Sequence, residues 1–306
     1  MTQHLLTMAD LTTAEIERIF SITKDLKAKF VQGLREPLLP GRVMAMLFEK
    51  QSLRTRVSFE AAMAHLGGST LFLGTEVGFA RRESVADFGR ILSEYVDVIV
   101  VRSNHHRTVQ ELARHSSCSV INGLTDFGHP CQAMADLYTV RELVGRGEKC
   151  TLAWVGDANN VARSLALGCG RLGIRMVMAT PEKYQFDAAA LDWIRAQAPD
   201  LDLTATTDPA AAVREATVVY TDVWASMGQE GEREVRRRDF ADYQVNARLM
   251  RKAPPSAYFM HCLPARRGEE VSDEVLDGPQ SVVVQQAANR MHVQKGILAW
   301  LLAAKG

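Results

Sequence analysis

Charge of either sign is not in excess: 36 lysines and arginines stand against 36 aspartates and glutamates in 306 residues. No global field draws such a chain to nucleic acid or an anionic membrane, so any anion it binds must be held locally. Cysteine is scarce. Cys118, Cys131, Cys150, Cys169 and Cys262 are odd in number and show no CxxC spacing, which suits a reducing compartment better than a disulfide framework. No apolar run approaches the roughly 20 residues needed to span a bilayer. Met1–Leu11 lacks the basic flank and long apolar stretch of a signal peptide, so a cytoplasmic location without membrane contact is expected. Internal repeats and low-complexity tracts are missing too. So is GxGxxG: Gly156-Asp-Ala-Asn-Asn160 offers one glycine, a poor match to a dinucleotide-dependent oxidoreductase.

What is present is ample apolar material, 47% of the chain, enough for two cores of roughly 150 residues each. Short Val/Ile/Met runs with little polar alternation predict strands buried on both faces. They fall at Val43–Phe48, Thr70–Leu73, Val98–Val101 and Ser119–Ile121, then at Thr151–Val155, Arg175–Ala179, Leu201–Thr206, Thr217–Tyr220, Ala257–Met260 and Ser281–Val284. Helical periodicity fills the spaces at Thr13–Gln32, Thr55–His65, Ser84–Glu94, Pro130–Leu143, Val161–Leu172 and Ala287–Ala304. The alternation predicts an α/β chain with two doubly wound parallel-sheet domains and helices on both faces. Val144-Gly-Arg-Gly-Glu-Lys149 breaks the periodicity. The expected domains are therefore 1–146, joined by a returning C-terminal helix at 287–306, and 147–286. Ligands of open parallel sheets gather beyond the carboxyl ends of strands, where helix N-termini point their N–H groups.

Four loops there carry chemistry. After the first strand, Ser52-Leu53-Arg54-Thr55-Arg56 opens a helix over Val57–Leu66 expected to be amphipathic. A hydroxyl, free backbone N–H groups and two arginines make a local anion cradle; a capping serine with solvated arginines reads from the same string. Val98-Ile-Val-Val-Arg102 ends a strand on a cation, which fits either an anionic ligand or a salt bridge. Gly128-His129-Pro130-Cys131-Gln132 starts a helix, with proline at a favoured first position and His129 and Gln132 one turn apart.

In the second half, Trp154-Val-Gly-Asp157-Ala-Asn159-Asn160 runs from strand into helix, with Asn160 and its neighbours as candidate caps. Asp222-Val-Trp-Ala-Ser226-Met227-Gly228 sets a carboxylate and a hydroxyl four residues apart, suited to an amine and an amino-acid head group or simply to a turn. His261-Cys262-Leu263-Pro264 leaves an apolar strand. A buried cysteine is usually inert packing, so this string alone argues for no thiol chemistry.

Ser52-Leu-Arg-Thr-Arg56, His129-Pro-Cys-Gln132, Asp222-x-x-x-Ser226-Met-Gly228 and His261-Cys-Leu-Pro264, in this order through to Asn289-Arg290-Met-His-Val-Gln-Lys295, resemble the transcarbamoylases, and among them the ornithine carbamoyltransferases. The resemblance implies transfer of a carbamoyl group from carbamoyl phosphate to the δ-amine of L-ornithine, giving citrulline and phosphate in arginine metabolism. It implies carbamoyl phosphate held by Ser52, Leu53 through its backbone, Arg54, Thr55, Arg102, His129, Gln132 and Arg290, with Cys262 and Leu263 near the carbamoyl group. Ornithine is expected on Asn160, Asp222, Ser226 and the backbone of Met227. Arg54, Arg102, His129, Cys262 and Arg290 are the expected catalytic set, with Cys262 a contact and not a nucleophile. No cofactor or metal is expected, and a homotrimer or multiple of trimers is, with the two domains closing over the substrates.

His261-Cys-Leu-Pro differs from the His-Pro-Leu-Pro of aspartate carbamoyltransferases, and Ser226-Met-Gly is lacking in the putrescine and N-acylornithine branches. A carbamoyltransferase for such an amine and a non-catalytic paralogue are the alternatives. Three places depart from the family pattern: Leu53 stands where many members carry threonine, Gln285-Gln-Ala-Ala288 stands where acidic residues are expected, and Gly78–Ser84 is basic at Arg81-Arg82.

Overall fold

A computed structural model describes residues 2–79, 82–225 and 229–303. The chain divides into two compact units, 1–135 with 289–306, and 136–288. The first carries helix α1 (Thr13–Val31), strand β1 (Val43–Phe48), α2 (Leu53–His65), β2 (Ser69–Leu73), α3 (Val85–Tyr95), β3 (Val98–Arg102), α4 (His106–His115), β4 (Ser119–Leu124) and the start of α5 (Pro130–Val144). Its sheet is wholly parallel in the order β2-β1-β3-β4. The inner strands bury every residue but Val43, as their unbroken apolar runs require. Around them lies a core of Ala45, Leu47, Ile99, Val101, Leu112 and Val120.

Helix starts follow capping chemistry. Thr12 accepts from Glu15 N–H at 3.2 Å while the Glu15 carboxylate accepts from Thr12 N–H at 2.8 Å, which satisfies two orphan donors at the head of α1. The last helix returns to the first unit and lies on α1. Gly296 permits that approach, since a Cβ there would collide with Thr23 Oγ1 and come within 3.0 Å of the Ile19 carbonyl.

The second unit carries β5 (Thr151–Val155), α6 (Asn160–Leu172), β6 (Arg175–Ala179), α7 (Ala188–Gln197), β7 (Leu203–Thr206), α8 (Pro209–Val213), β8 (Val218–Thr221), α9 (Arg233–Asp239), α10 (Ala247–Met250), β9 (Tyr258–His261), α11 (Asp273–Leu276) and the beginning of α12 (Val283–Leu302). Its parallel sheet runs β7-β6-β5-β8-β9, around a core that includes Val155, Val219, Phe240 and Phe259. Both sheets reverse their strand order once, between β1 and β3 and between β5 and β8. Chain leaving those strands in opposite directions opens a crevice at their carboxyl ends.

Two expectations are corrected. Ser281–Val284 is not a strand: Ser281 makes a single bridge to Phe259, and α12 begins at Val283. An apolar run of that length fits a strand or a buried helix start equally well. Nor is α2 cleanly amphipathic, because Leu53 is 77% and Val57 52% exposed. Among the described residues, no helix is long and apolar enough to cross a membrane.

Candidate active site

At the first crevice, β1 ends at Phe48, level with Arg102 on β3. Ser52 caps α2, its hydroxyl accepting from Thr55 N–H at 3.4 Å and donating to Thr55 Oγ1 at 3.0 Å. Thr55 is buried and lies near Gly123 of β4, where a Cβ would be 3.7 Å from its methyl group, an ordinary contact. Arg290 of α12 donates one nitrogen to Thr55 Oγ1 at 3.0 Å and another to the Gln132 carbonyl oxygen. Gln132 is in the first turn of α5, one turn after His129.

Arg102, His129, Gln132 and Arg290 are all buried. Burial, then the Arg290 and Arg54 charges, pull Arg102 down to about 10. The His129 imidazole is pushed well below its usual range by burial, then by Arg290 and Arg102, so it is neutral at physiological pH. The nearby Cys131 thiol is pushed up to about 12 by burial, which leaves it no nucleophile. Ser52, Thr55, Arg102, His129, Gln132 and Arg290 thus form one cluster, with Arg54 close enough for its charge to be felt there. Leu53 supplies no side chain to it; its side chain stands in solvent.

At the second crevice, β5 is followed by Gly156, whose φ of 148° is open to glycine and to few other residues. Asn159 caps α6, its Oδ1 accepting from Val161 N–H at 2.9 Å and Ala162 N–H at 3.0 Å. Its Nδ2 donates to Asp222 Oδ2 at 2.9 Å. The cap is therefore Asn159, and Asn160 is the first helical residue. Asp222 follows β8, and its Oδ1 accepts from Val223 N–H at 2.8 Å and from the Cys262 thiol at 3.0 Å. Ser226 and Met227 lie outside the described residues.

His261 ends β9, and Cys262 and Leu263 begin the turn after it. His261 Nδ1 accepts from Leu263 N–H at 2.9 Å, which fixes the proton on Nε2, where it is donated to Glu270 Oε1 at 3.0 Å. That bond holds Leu263 at φ 57°, a left-handed conformation unusual for a branched aliphatic residue. Asp222, His261 and Cys262 bring possible ligand atoms within 4.8 Å of one another. Both imidazole nitrogens are already engaged, so a metal would have to break one of these bonds.

Several residues here stand outside the sequence-predicted set. Asp157 is buried beside Arg236, Oδ2 to Nη1 at 3.1 Å, and burial raises its carboxyl to about 6 against the pull of that guanidinium. Arg236 also donates to the Trp224 carbonyl at 2.9 Å, tying α9 to the segment after Asp222. Asp157 and Asn159 were visible in a strand-to-helix motif, but nothing local marks Arg236 as the partner of Asp157 or Glu270 as the partner of His261.

Residues 3–142 match the family described as aspartate/ornithine carbamoyltransferase, carbamoyl-P binding domain, and residues 148–301 its Asp/Orn binding domain. The chain is 48% identical over 301 residues to a Pyrococcus abyssi protein named ornithine carbamoyltransferase, covering 97% of this chain and 95% of that one. A Bacillus subtilis protein of the same name is 47% identical, covering 97% of this chain and 93% of its own. Among solved structures, ornithine carbamoyltransferase from Pyrococcus furiosus superposes with a TM-score of 0.95 at 47% identity, over 99% of this chain and 98% of that chain. Ornithine transcarbamoylase from Giardia lamblia does so with a TM-score of 0.87 at 30% identity, over 98% of each. A fold, an ordered set of site residues and full-length similarity converge: the chain belongs to the aspartate/ornithine carbamoyltransferase family.

Proposed function

We propose that this chain transfers the carbamoyl group of carbamoyl phosphate to the δ-amine of L-ornithine, yielding citrulline and phosphate. The observation that carries the reading is the buried cluster of Arg102, Arg290, neutral His129 and Gln132 at the reversal of the first sheet, a place for a small dianion in a chain without net charge. In this reading Ser52, the Leu53 N–H, Arg54, Thr55 and Arg102 take the phosphate. His129, Gln132 and Arg290 take the carbonyl end, and Cys262 and Leu263 border the carbamoyl group. Asn160, Asp222, Ser226 and the Met227 backbone take ornithine. Residues 1–146 with 287–306 serve as the carbamoyl-phosphate domain and 147–286 as the ornithine domain.

An alkyl amine with a pKa of about 10.4 must attack as the neutral base, which costs roughly 4–5 kcal/mol at pH 7. The attack gives a tetrahedral centre whose oxygen is met by His129 and Arg290, and phosphate leaves towards Arg54 and Arg102. Positioning and fixed charge lower the barrier, with no covalent enzyme intermediate. Asp222 orients the amine; a carboxylate beside an ammonium favours its charged form and makes a poor base.

A homotrimer is part of the same reading. Eight of the ten exposed large apolar side chains among the described residues belong to the first unit, including Leu53 and Val57 of α2, Leu71 of edge strand β2, and Ile91 and Tyr95 of α3. An edge strand flanked by apolar groups is a liability in a monomer and an asset in an interface. Light scattering checks it, with Tyr95→Asp expected to shift the mass towards one chain. A cytoplasmic setting agrees with five cysteines that are all free thiols.

The test of function is phosphate release with carbamoyl phosphate and, in turn, ornithine, N-acetylornithine, putrescine and aspartate. Ornithine is expected to be the preferred acceptor by at least an order of magnitude, with kcat/KM rising from pH 6 to 9. A flat profile, or preference for another amine, overturns the assignment.

A further inference from the structure

Behind the turn that carries Cys262 lies a buried polar network that the transfer chemistry leaves unused. Asp136 of α5, Tyr220 of β8 and Gln286 of α12 are each fully shielded from solvent. The Gln286 amide nitrogen donates to Asp136 Oδ1 at 2.7 Å and to the Tyr220 hydroxyl at 3.1 Å. Tyr220 donates to Asp136 Oδ2 at 2.9 Å and stacks on Trp154, ring centroids 5.1 Å apart. The remaining pole of the carboxamide, Gln286 Oε1, accepts from the backbone N–H of His261 at 2.9 Å. Chemistry forces this orientation: a flipped amide would set oxygen against a carboxylate and N–H against N–H.

His261 is where β9 ends and the turn begins. Its ring accepts the Leu263 N–H, so whatever holds the His261 backbone also sets the frame for the left-handed Leu263 and for the Cys262 thiol between them. The Gln285–Ala288 departure thereby acquires a physical reading at its second position. One residue must donate to Asp136 and accept from His261 N–H, which a carboxamide does and an ionised carboxylate beside Asp136 does not.

We propose that Gln286 is a positioning residue for carbamoyl transfer, its carboxamide linking the buried Asp136–Tyr220 pair to the His261 N–H so that Cys262 and Leu263 keep the course the reaction needs. The inference rests on the carbamoyl-transfer reading given above. Gln286 touches no reacting atom. It acts through the turn, so its loss affects turnover more than substrate affinity. A displacement of about 1 Å at a reacting group costs on the order of 100-fold in rate.

The experiment measures citrulline formation by this chain and three variants from pH 6 to 9.5. Gln286→Leu is expected to lower kcat about 10- to 100-fold, with KM for both substrates within about threefold of wild type. Gln286→Glu separates positioning from simple packing. As a neutral acid it still donates to Asp136 and accepts from His261, and on ionisation it repels Asp136. The titratable groups hydrogen-bonded to its side chain are Asp136 and Tyr220, with His261, Glu270, Cys262 and Asp222 beyond.

Its activity should therefore fall with rising pH, opposite to wild type. Asp136→Asn/Gln286→Glu, which exchanges carboxylate and carboxamide across the same bond, should regain the alkaline activity. A kcat for Gln286→Leu within twofold of wild type overturns the inference. So does a Gln286→Glu profile that parallels wild type, or an exchange variant that recovers nothing. If Gln286→Leu does not fold, the other two variants decide alone. Wild-type protein that makes no citrulline sinks the underlying reading instead, and this inference with it.

Discussion

The two crevices solve opposite electrostatic problems. In the first unit, cations gather against one another: Arg290 and Arg54 are among the causes that pull buried Arg102 down, and Arg290 and Arg102 help to keep His129 uncharged. In the second, carboxylates are met by donors already in place, Asp222 by Asn159, Val223 N–H and Cys262, and Asp157 by Arg236. A site of crowded cations is relieved when an anion arrives. Carboxylates already met by donors are set in place before anything arrives, which suits the orienting role proposed for Asp222.

The largest effect that can break this contrast is removal of a cation. Arg290→Ala deletes the bonds to Gln132 and Thr55 and one of the proposed oxyanion donors, and kcat is expected to fall about 100- to 1000-fold. Arg102→Met sharpens the point. It should abolish useful turnover, because the buried cation that faces the proposed anion site is replaced by an apolar side chain. Denaturant unfolding with and without phosphate checks it. Phosphate should stabilise the wild type, and should stabilise the Arg102 variant far less. Equal loss of stability and activity in both variants would show the cluster to be structural.

Next in size is Asp222→Asn. Three donors converge on this carboxylate, and the amide retains the shape while losing the charge offered to an ammonium. Ornithine KM is expected to rise at least tenfold, with carbamoyl phosphate KM within about twofold. Initial rates with each substrate varied in turn separate the two, and an unchanged ornithine KM removes Asp222 from the acceptor site.

How much of this was legible beforehand depended on sequence distance. Ser52, two residues before Arg54 and at the head of a helix, was readable because a cap and the chain it caps are adjacent. So were the positions of nearly all the parallel strands, because doubly buried strands are continuous apolar runs. The strand expected over Ser281–Val284 failed for that same reason: Val283 and Val284 fit the first turn of a helix as well. At α6 two consecutive asparagines both satisfied the pattern, and only the reach of Asn159 to Asp222 distinguishes them. Arg236, Glu270 and Gln286 were silent, since each acquires its meaning from a partner on another element, Gln286 from Asp136 at a separation of 150 residues.

Asp157 offers a smaller test, with a sign. Its carboxyl rises to about 6 from an ordinary value of 3.8, so between these limits the folded protein binds more protons than the unfolded chain. The contribution of this group to stability is therefore greatest below pH 3.8 and is lost as pH rises through about 6. A rise from 3.8 to about 6 corresponds to about 3 kcal/mol. Because asparagine does not titrate, the stability of Asp157→Asn relative to wild type should increase by roughly that amount from pH 4 to pH 7. Paired urea titrations across the range measure the difference directly, and a constant offset would mean that the carboxyl keeps its ordinary value.

The smallest expected effect is at Cys262, where the contrast between orienting and reacting is most easily confused. The thiol is 3.0 Å from Asp222 Oδ1, a donor to a carboxylate that already accepts two N–H groups. Serine keeps a donor in that place, so Cys262→Ser should alter kcat less than tenfold and ornithine KM less than about threefold. Cys262→Val fills similar space without a donor and should raise ornithine KM severalfold, with kcat following only in part. A thiol that acted as the nucleophile would give the reverse ranking of severity: both variants would be inactive, and wild-type protein mixed with carbamoyl phosphate alone would gain the mass of one carbamoyl group on Cys262. The unmodified mass, together with a serine variant that still turns over, assigns the sulfur to holding Asp222 and leaves the transfer to pass directly from phosphate to amine.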